Sequence, residues 1–142
     1  MAQYYDHSLI RDIDVFDHAY LPEYFNHRDA QLQELAFLIE PALLGGSPEN
    51  AILRGPSGTG KTTAVRRIFT EIEKTTQKII PVCINCRKSH TLIAIYHCIA
   101  RRVLGYPSPS RYLEDIQNGI VTHLRDEDVT LLVCLDDADY LI

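Results

Sequence analysis

Gly55-Pro56-Ser57-Gly58-Thr59-Gly60-Lys61-Thr62 is the stretch whose reading decides the fold. It fits the pattern of glycine, four residues, glycine, lysine, then serine or threonine. At average composition those fixed positions coincide by chance in roughly 0.5 % of chains of this length. The glycines let the backbone turn tightly and approach an anion. Successive N–H groups from about Gly58 to Thr62 are then expected to form an anion nest. A helix starting near Gly60 adds roughly half a positive charge at its N-terminus. Lys61 supplies a mobile cation for β- and γ-phosphates, and the Thr62 hydroxyl can ligate Mg²⁺. Gly55 through Thr63 are the candidate phosphate-binding residues.

The flanks supply the context that this loop needs. Ala51-Ile52-Leu53 reads as the first core strand. Thr63 to Lys74 reads as a helix, with Val65, Ile68, Phe69 and Ile72 on one side. Upstream, Asn26 is a plausible cap for a helix from Arg28 to about Leu44, with Leu32, Leu35, Ala36, Ile39 and Leu43 at three-four spacing. Pro41 is expected to kink or shorten it. Residues 1–20 read as an extended arm, and Leu21-Pro22-Glu23-Tyr24-Phe25 as a turn.

Downstream, Lys78 to Asn85 reads as a second strand, at a sheet edge or bulged because of Pro81. Ser89 or Thr91 caps a helix to Leu104 with Leu92, Ile95, Ile99 and Val103 inward. Residues 111–125 form a further helix carrying Leu113, Ile116, Ile120 and Leu124. Val129 to Leu135 is a continuous apolar run, the mark of a strand buried on both faces. Alternating strands and helices predict an α/β fold with a parallel sheet.

That last strand runs straight into Asp136-Asp137. Ligands bind at the carboxyl ends of strands in open α/β sheets. Asp136 can hold Mg²⁺, usually through water. Asp137 is placed to orient or deprotonate an attacking water. Alone, a strand ending in an acid says little; paired with the phosphate loop, it points to Mg-ATP.

Composition sets the bounds. The chain has 142 residues, 46 % hydrophobic and 23 % charged, enough for one globular domain. No window of about eighteen apolar residues occurs, so no membrane span is expected. No basic leader with an apolar core precedes the first elements, which predicts an intracellular, cytoplasmic protein. The net charge of −5 is uneven: residues 1–50 carry nine acidic and two basic side chains, residues 51–142 ten and twelve. Any DNA contact made by the second part is therefore expected to be modest.

Three stretches carry a family resemblance. Phe16 through Arg28 resembles the N-terminal lead-in segment of archaeal replication initiators, the origin-recognition and cell-division-control AAA+ ATPases. Asn50 through Thr62 looks like their phosphate loop, and Ile84-Asn85-Cys86-Arg87 is similar to their second strand end. The resemblance runs from about Asp14 to Asp139. It implies a P-loop NTPase (AAA+) fold, a parallel sheet flanked by helices and incomplete at the C-terminus. The implied layout is an arm and lead-in over residues 1–27 and a partial AAA+ nucleotide-binding domain over residues 28–142, with lid and winged-helix domains absent. It further implies binding of ATP or ADP with Mg²⁺, with Phe25, His27 and Arg28 by the adenine. Origin double-stranded DNA, contacted mainly through a C-terminal domain, and the replicative helicase are the implied partners. A DNA-touching element is expected within Gly105 to Glu114, with Arg111 its best candidate.

Two departures qualify the likeness. Asn26 replaces the proline usual before the His-Arg pair. Asp137 stands where a hydrolytic ATPase of this class usually has Glu, one methylene longer. That predicts tight ATP or ADP binding with slow turnover. As a fragment the chain is expected to bind nucleotide weakly, hydrolyse little and self-associate through open strand edges. The alternatives are an AAA+ or signalling-type ATPase of another branch, or a fragment without function.

The remaining candidates have blander readings. Cys83, Cys86, Cys98 and Cys134 lie in apolar segments and read as small hydrophobes. Cys83 and Cys86 make a Cys-x-x-Cys without a second pair at zinc spacing, which argues against metal or redox use. His7, His18, His90, His97 and His123 show no ligand spacing. Arg66-Arg67 and Arg101-Arg102 read as solvated helix surface, and Arg87-Lys88 as a better electrostatic candidate.

Overall fold

A computed structural model describes residues 29–141. The expected arm, the lead-in, the Asn26 cap and the adenine-side residues Phe25, His27 and Arg28 lie outside the described residues. The chain divides into two compact units, Met1–Thr76 and Gln77–Ile142. Among the described residues, no helix is long and apolar enough to cross a membrane.

Among its described residues the first unit holds two helices, α1 (Asp29–Leu43) and α2 (Lys61–Thr75), which touch one another. In α1 the three-four pattern buries Leu32, Ile39 and Ala42 and half-buries Leu35, Ala36 and Leu43. Pro41 sits in the last turn, and the helix stops two residues later. Gly46 N donates to Pro41 O at 2.8 Å and Gly45 N to Ala42 O at 3.3 Å, the paired bonds that close a helix on a left-handed residue. In α2, Ala64, Val65, Ile68, Phe69 and Ile72 are buried and Arg66 and Glu73 exposed, as its periodicity predicts.

The expected strand at Ala51-Ile52-Leu53 is not formed. Its backbone is irregular and Ile52 is 80 % exposed. A strand exists only where a neighbour accepts its hydrogen bonds. The described residues of its own unit form helices and loops and provide no such neighbour.

The second unit is built on a parallel pair, β1 (Ile79–Asn85) and β2 (Thr130–Asp136). The register runs from Ile79 opposite Thr130 to Asn85 opposite Asp136. Helices α3 (Leu92–Leu104) and α4 (Leu113–Asp126) make the crossover between them. Thr91 caps α3, its Oγ1 accepting from Ala94 N at 3.3 Å, and Gly105 ends it in the left-handed region.

Two bonds bracket the sheet: Thr130 N donates to Lys78 O at 2.8 Å and Cys86 N to Asp136 O at 2.9 Å. In a parallel ladder, alternate residues of a strand bond to the same neighbour. The even-numbered residues of β1 therefore face β2, and Pro81 faces the open edge. Its lack of an N–H costs no ladder bond there, and its carbonyl instead accepts from Arg102 Nε at 3.4 Å. The expected edge position of Pro81 holds.

One face of the sheet carries the core. Val82 and Ile84 pack with Ile95, Ile99, Ala100, Val103, Ile116 and Ile120, and Ile80 and Leu131 join at the margin. Two expectations are corrected here. Leu92 is 58 % exposed, because the first turn of α3 overhangs the core that begins at Ile95. β2 is not buried on both faces: no residue in it is fully buried, and Val133 and Leu135 are 37 % and 41 % exposed. The helices cover β1 and only the beginning of β2, so an apolar run alone does not guarantee cover.

Ile116 is 1 % exposed at the centre of this core. Ile116→Ala is expected to lower unfolding free energy by about 2–5 kcal/mol in urea titrations followed by circular dichroism.

Candidate nucleotide-binding site

The phosphate loop precedes α2 with the backbone its glycines allow. Gly58 and Gly60 have φ of +75° and +83°, in the left-handed region. A Cβ at either would meet nothing within 4 Å, so the constraint is the backbone angle rather than space. Gly60 is the N-cap of α2 and gives it no side-chain cap, while its carbonyl accepts from Ala64 N at 2.9 Å. The first turn of α2 thus begins without the hydroxyl or carboxylate that usually satisfies helix-start amides.

Two side chains brace the loop from within. Thr59 Oγ1 donates to Pro56 O at 2.8 Å. Lys61 Nζ folds back over the loop and donates to Gly55 O and Pro56 O, each at 2.8 Å. The ammonium therefore sits against the same turn whose amides would face an anion, and a short swing would take it from carbonyl to phosphate. Ser57 and Thr63 are exposed, and Thr62, second residue of α2, is half-buried. The structure brings Gly55 through Thr63 together as one loop and helix start.

The acidic residues stand at the carboxyl ends of the parallel pair in the second unit. Asp136 is the last residue of β2 and half-buried; Asp137 follows it, exposed, with φ +54°. Aspartate tolerates the left-handed region better than most residues. Tyr140 N donates to Asp137 O at 3.1 Å, which starts a short 3-10 turn over Ala138–Leu141.

Asn85, a residue to which the motif reading attached no role, links the two strand ends. Its Oδ1 accepts from Arg87 N at 3.1 Å and its Nδ2 lies 3.5 Å from Asp137 Oδ2, a long hydrogen bond. Arg87 places its guanidinium 5.0 Å from the Tyr140 ring centroid. A hydrogen-bonding amide opposite the strand that ends in acids was the available signal, but only the register identifies its partner.

Two thiols feel this environment. Burial raises the pKa of Cys86, and the nearby Asp136 and Asp137 raise it further. Cys134 is pushed up to about 12, by burial first and then by Cys83 beside it. Both are held toward the neutral thiol form. No cluster of three or more His, Cys, Asp or Glu suited to a metal occurs among the described residues. Mg²⁺ does not require one, because it keeps waters and takes few protein oxygens. The hydroxyl of Thr62 and the carboxylate of Asp136 are oxygen donors of the type it selects. The candidate DNA contact Arg111 is exposed, in the irregular segment that leads into α4 rather than in a helix of its own.

Comparison with known proteins agrees with the fold. The model of the AAA ATPase domain matches residues 24–106. ORC1-type DNA replication protein 2 of Methanosarcina mazei is 38 % identical over 139 residues, 96 % of this chain and 37 % of that protein. ORC1-type DNA replication protein 3 of Haloarcula marismortui is 39 % identical over the same shares. Among solved structures, Cdc6p from Pyrobaculum aerophilum aligns with a TM-score of 0.72 and 34 % identity over 92 % of this chain and 35 % of its own. The Aeropyrum pernix ORC1 protein, solved in complex with DNA, aligns at 0.71 and 30 % identity over 89 % and 35 %. The chain thus spans little more than a third of the length of these relatives. With residues 24–106, more than half its length, matched, the chain belongs to the AAA ATPase domain family, and the relatives it resembles are ORC1-type and Cdc6 replication proteins.

Proposed function

We infer that this chain is the ATP-binding AAA+ module of a DNA replication initiator, one that recognises origins and helps to load the replicative helicase. The observation that carries the reading is the Gly55–Thr62 loop, with left-handed glycines running into a helix that lacks a side-chain cap. The likeness to ORC1-type proteins over 96 % of the chain supports the initiator branch. The Aeropyrum relative was solved with DNA, which supports a duplex DNA partner for the whole protein.

Each residue then has a role. Loop amides and the start of α2 bind the phosphates, and Lys61 leaves the Gly55 and Pro56 carbonyls to neutralise them. Phe25, His27 and Arg28 hold the adenine side. Thr62 and Asp136 would each offer an oxygen to Mg²⁺, which when bound would neutralise charge on the β- and γ-phosphates. Asp137 orients the attacking water and accepts its proton, while Asn85 restrains the carboxylate from the neighbouring strand. The short side chain of Asp137 keeps turnover slow. Arg111 contacts the DNA backbone, and self-association accompanies the exposed strand edge of β2.

Nucleotide binding is tested by thermal melting with and without MgATP or MgADP. Ligand at 100 times its dissociation constant should add about 2.7 kcal/mol of stability, and Lys61→Ala should remove most of that gain. An unchanged midpoint at millimolar nucleotide would leave a fragment that binds nothing. Asp137→Glu separates reach from backbone fit. Its extra methylene should speed a slow ATPase, since misplacement by about 1 Å can cost roughly 10²-fold. The positive φ should make the same variant less stable by about 1 kcal/mol or less. Steady-state phosphate release and urea melts read the two effects. Arg111→Ala should weaken duplex binding similarly across sequences and lower the slope of log affinity against log salt by about 1.

A further inference from the structure

The register of the sheet sets Cys83 directly opposite Cys134. Both are free thiols; Cys83 is exposed and Cys134 half-buried. Paired residues of neighbouring strands project to the same face. This face is the one opposite the core, since Val82 and Ile84 point the other way. Neighbouring strands lie about 4.8 Å apart. That spacing falls in the Cα separation of roughly 4.4–6.8 Å which a disulfide spans.

The Cys-x-x-Cys spacing suggests a different partner, and the fold rules it out. Cys86 has no exposed surface, and its thiol turns to the Ile84 carbonyl at 3.9 Å. Cys98 lies within the α3 packing, 3.5 Å from Ser89 Oγ. Of the four thiols, only Cys83 combines exposure with a neighbouring cysteine across the sheet.

We propose that Cys83 and Cys134 form a cross-strand dithiol that hydrogen peroxide converts to an intramolecular disulfide. Peroxide meets the exposed thiol first. Cys83–SH and H₂O₂ give Cys83–SOH and water, with the peroxide oxygen reduced and the sulfur oxidised. The Cys134 sulfur then displaces hydroxide from the sulfenic sulfur. The S–S bond forms, and the thiol proton leaves with that hydroxide as a second water. Cys134 is only half-exposed, and this limited access makes the second step slow. The link ties β1 to β2 two residues before Asn85 and two before Asp136. An oxidant would thereby lock the strand ends that carry the acidic pair.

The test exposes the folded chain to hydrogen peroxide, blocks residual thiols with an alkylating agent and maps disulfides by peptide mass spectrometry. The expected product is a Cys83–Cys134 peptide pair in monomeric protein. Two of the four thiols should be lost, and dithiothreitol should restore them. The product should persist in Cys86→Ser and Cys98→Ser and vanish in Cys83→Ser. It should also be lost when wild-type protein is oxidised in urea, a readout that needs no variant to fold. A Cys83–Cys86 link, a disulfide between two chains, or Cys83 overoxidised beside a reduced Cys134 would each overturn the proposal.

Discussion

The parallel pairing of β1 with β2 is the constraint on which the second unit depends. It brings segments about fifty residues apart in sequence into register, from Ile79 opposite Thr130 to Asn85 opposite Asp136. Because side chains alternate across a strand, one register choice settles several things together. It turns Ile80, Val82 and Ile84 to the helices and Cys83 to the opposite face. It sends the missing N–H of Pro81 to the open edge. It also brings the Asn85 amide to Asp137. A slip by one residue would expose the core set and separate that polar pair.

The phosphate loop rests on a different kind of constraint, a local one. Gly58 and Gly60 hold backbone angles that side chains would resist, and the helix after them begins without a cap. Amphipathic α2 anchors the arrangement by burying Ala64, Val65, Ile68, Phe69 and Ile72. Lys61 then has a fixed base, and its ammonium is held by two loop carbonyls. Loop angles, helix start and lysine lie within eight consecutive residues, which explains why this half of the site is visible as a motif.

The helices were legible for the same reason. Their periodicity is a property of neighbouring residues, and α1 to α4 fall within a few residues of where the apolar spacing places them. The strands were legible as apolar runs, but their surroundings were not. Ala51-Ile52-Leu53 has the composition of a strand without a partner among the described residues of its unit to make it one. Val129 to Leu135 has the composition of a strand covered on both faces, yet Val133 and Leu135 are exposed because the helices lie over β1. Leu92 follows the apolar stripe of α3 but projects past the core. In each case composition reports what a residue tolerates, while cover depends on what lies beside it.

The amino-acid sequence by itself determined the phosphate loop, the helices, the acidic strand end and the family, because each is written in residues close together along the chain. Only the tertiary structure decided the register, and with it the Asn85–Asp137 contact, the edge placement of Pro81 and the choice of Cys134 over Cys86 as the neighbour of Cys83. Those are relations between residues roughly fifty positions apart, set by backbone hydrogen bonds that are indifferent to side-chain identity. No local pattern encodes them, because the ladder fixes which residues meet and the side chains only fix what the meeting can do.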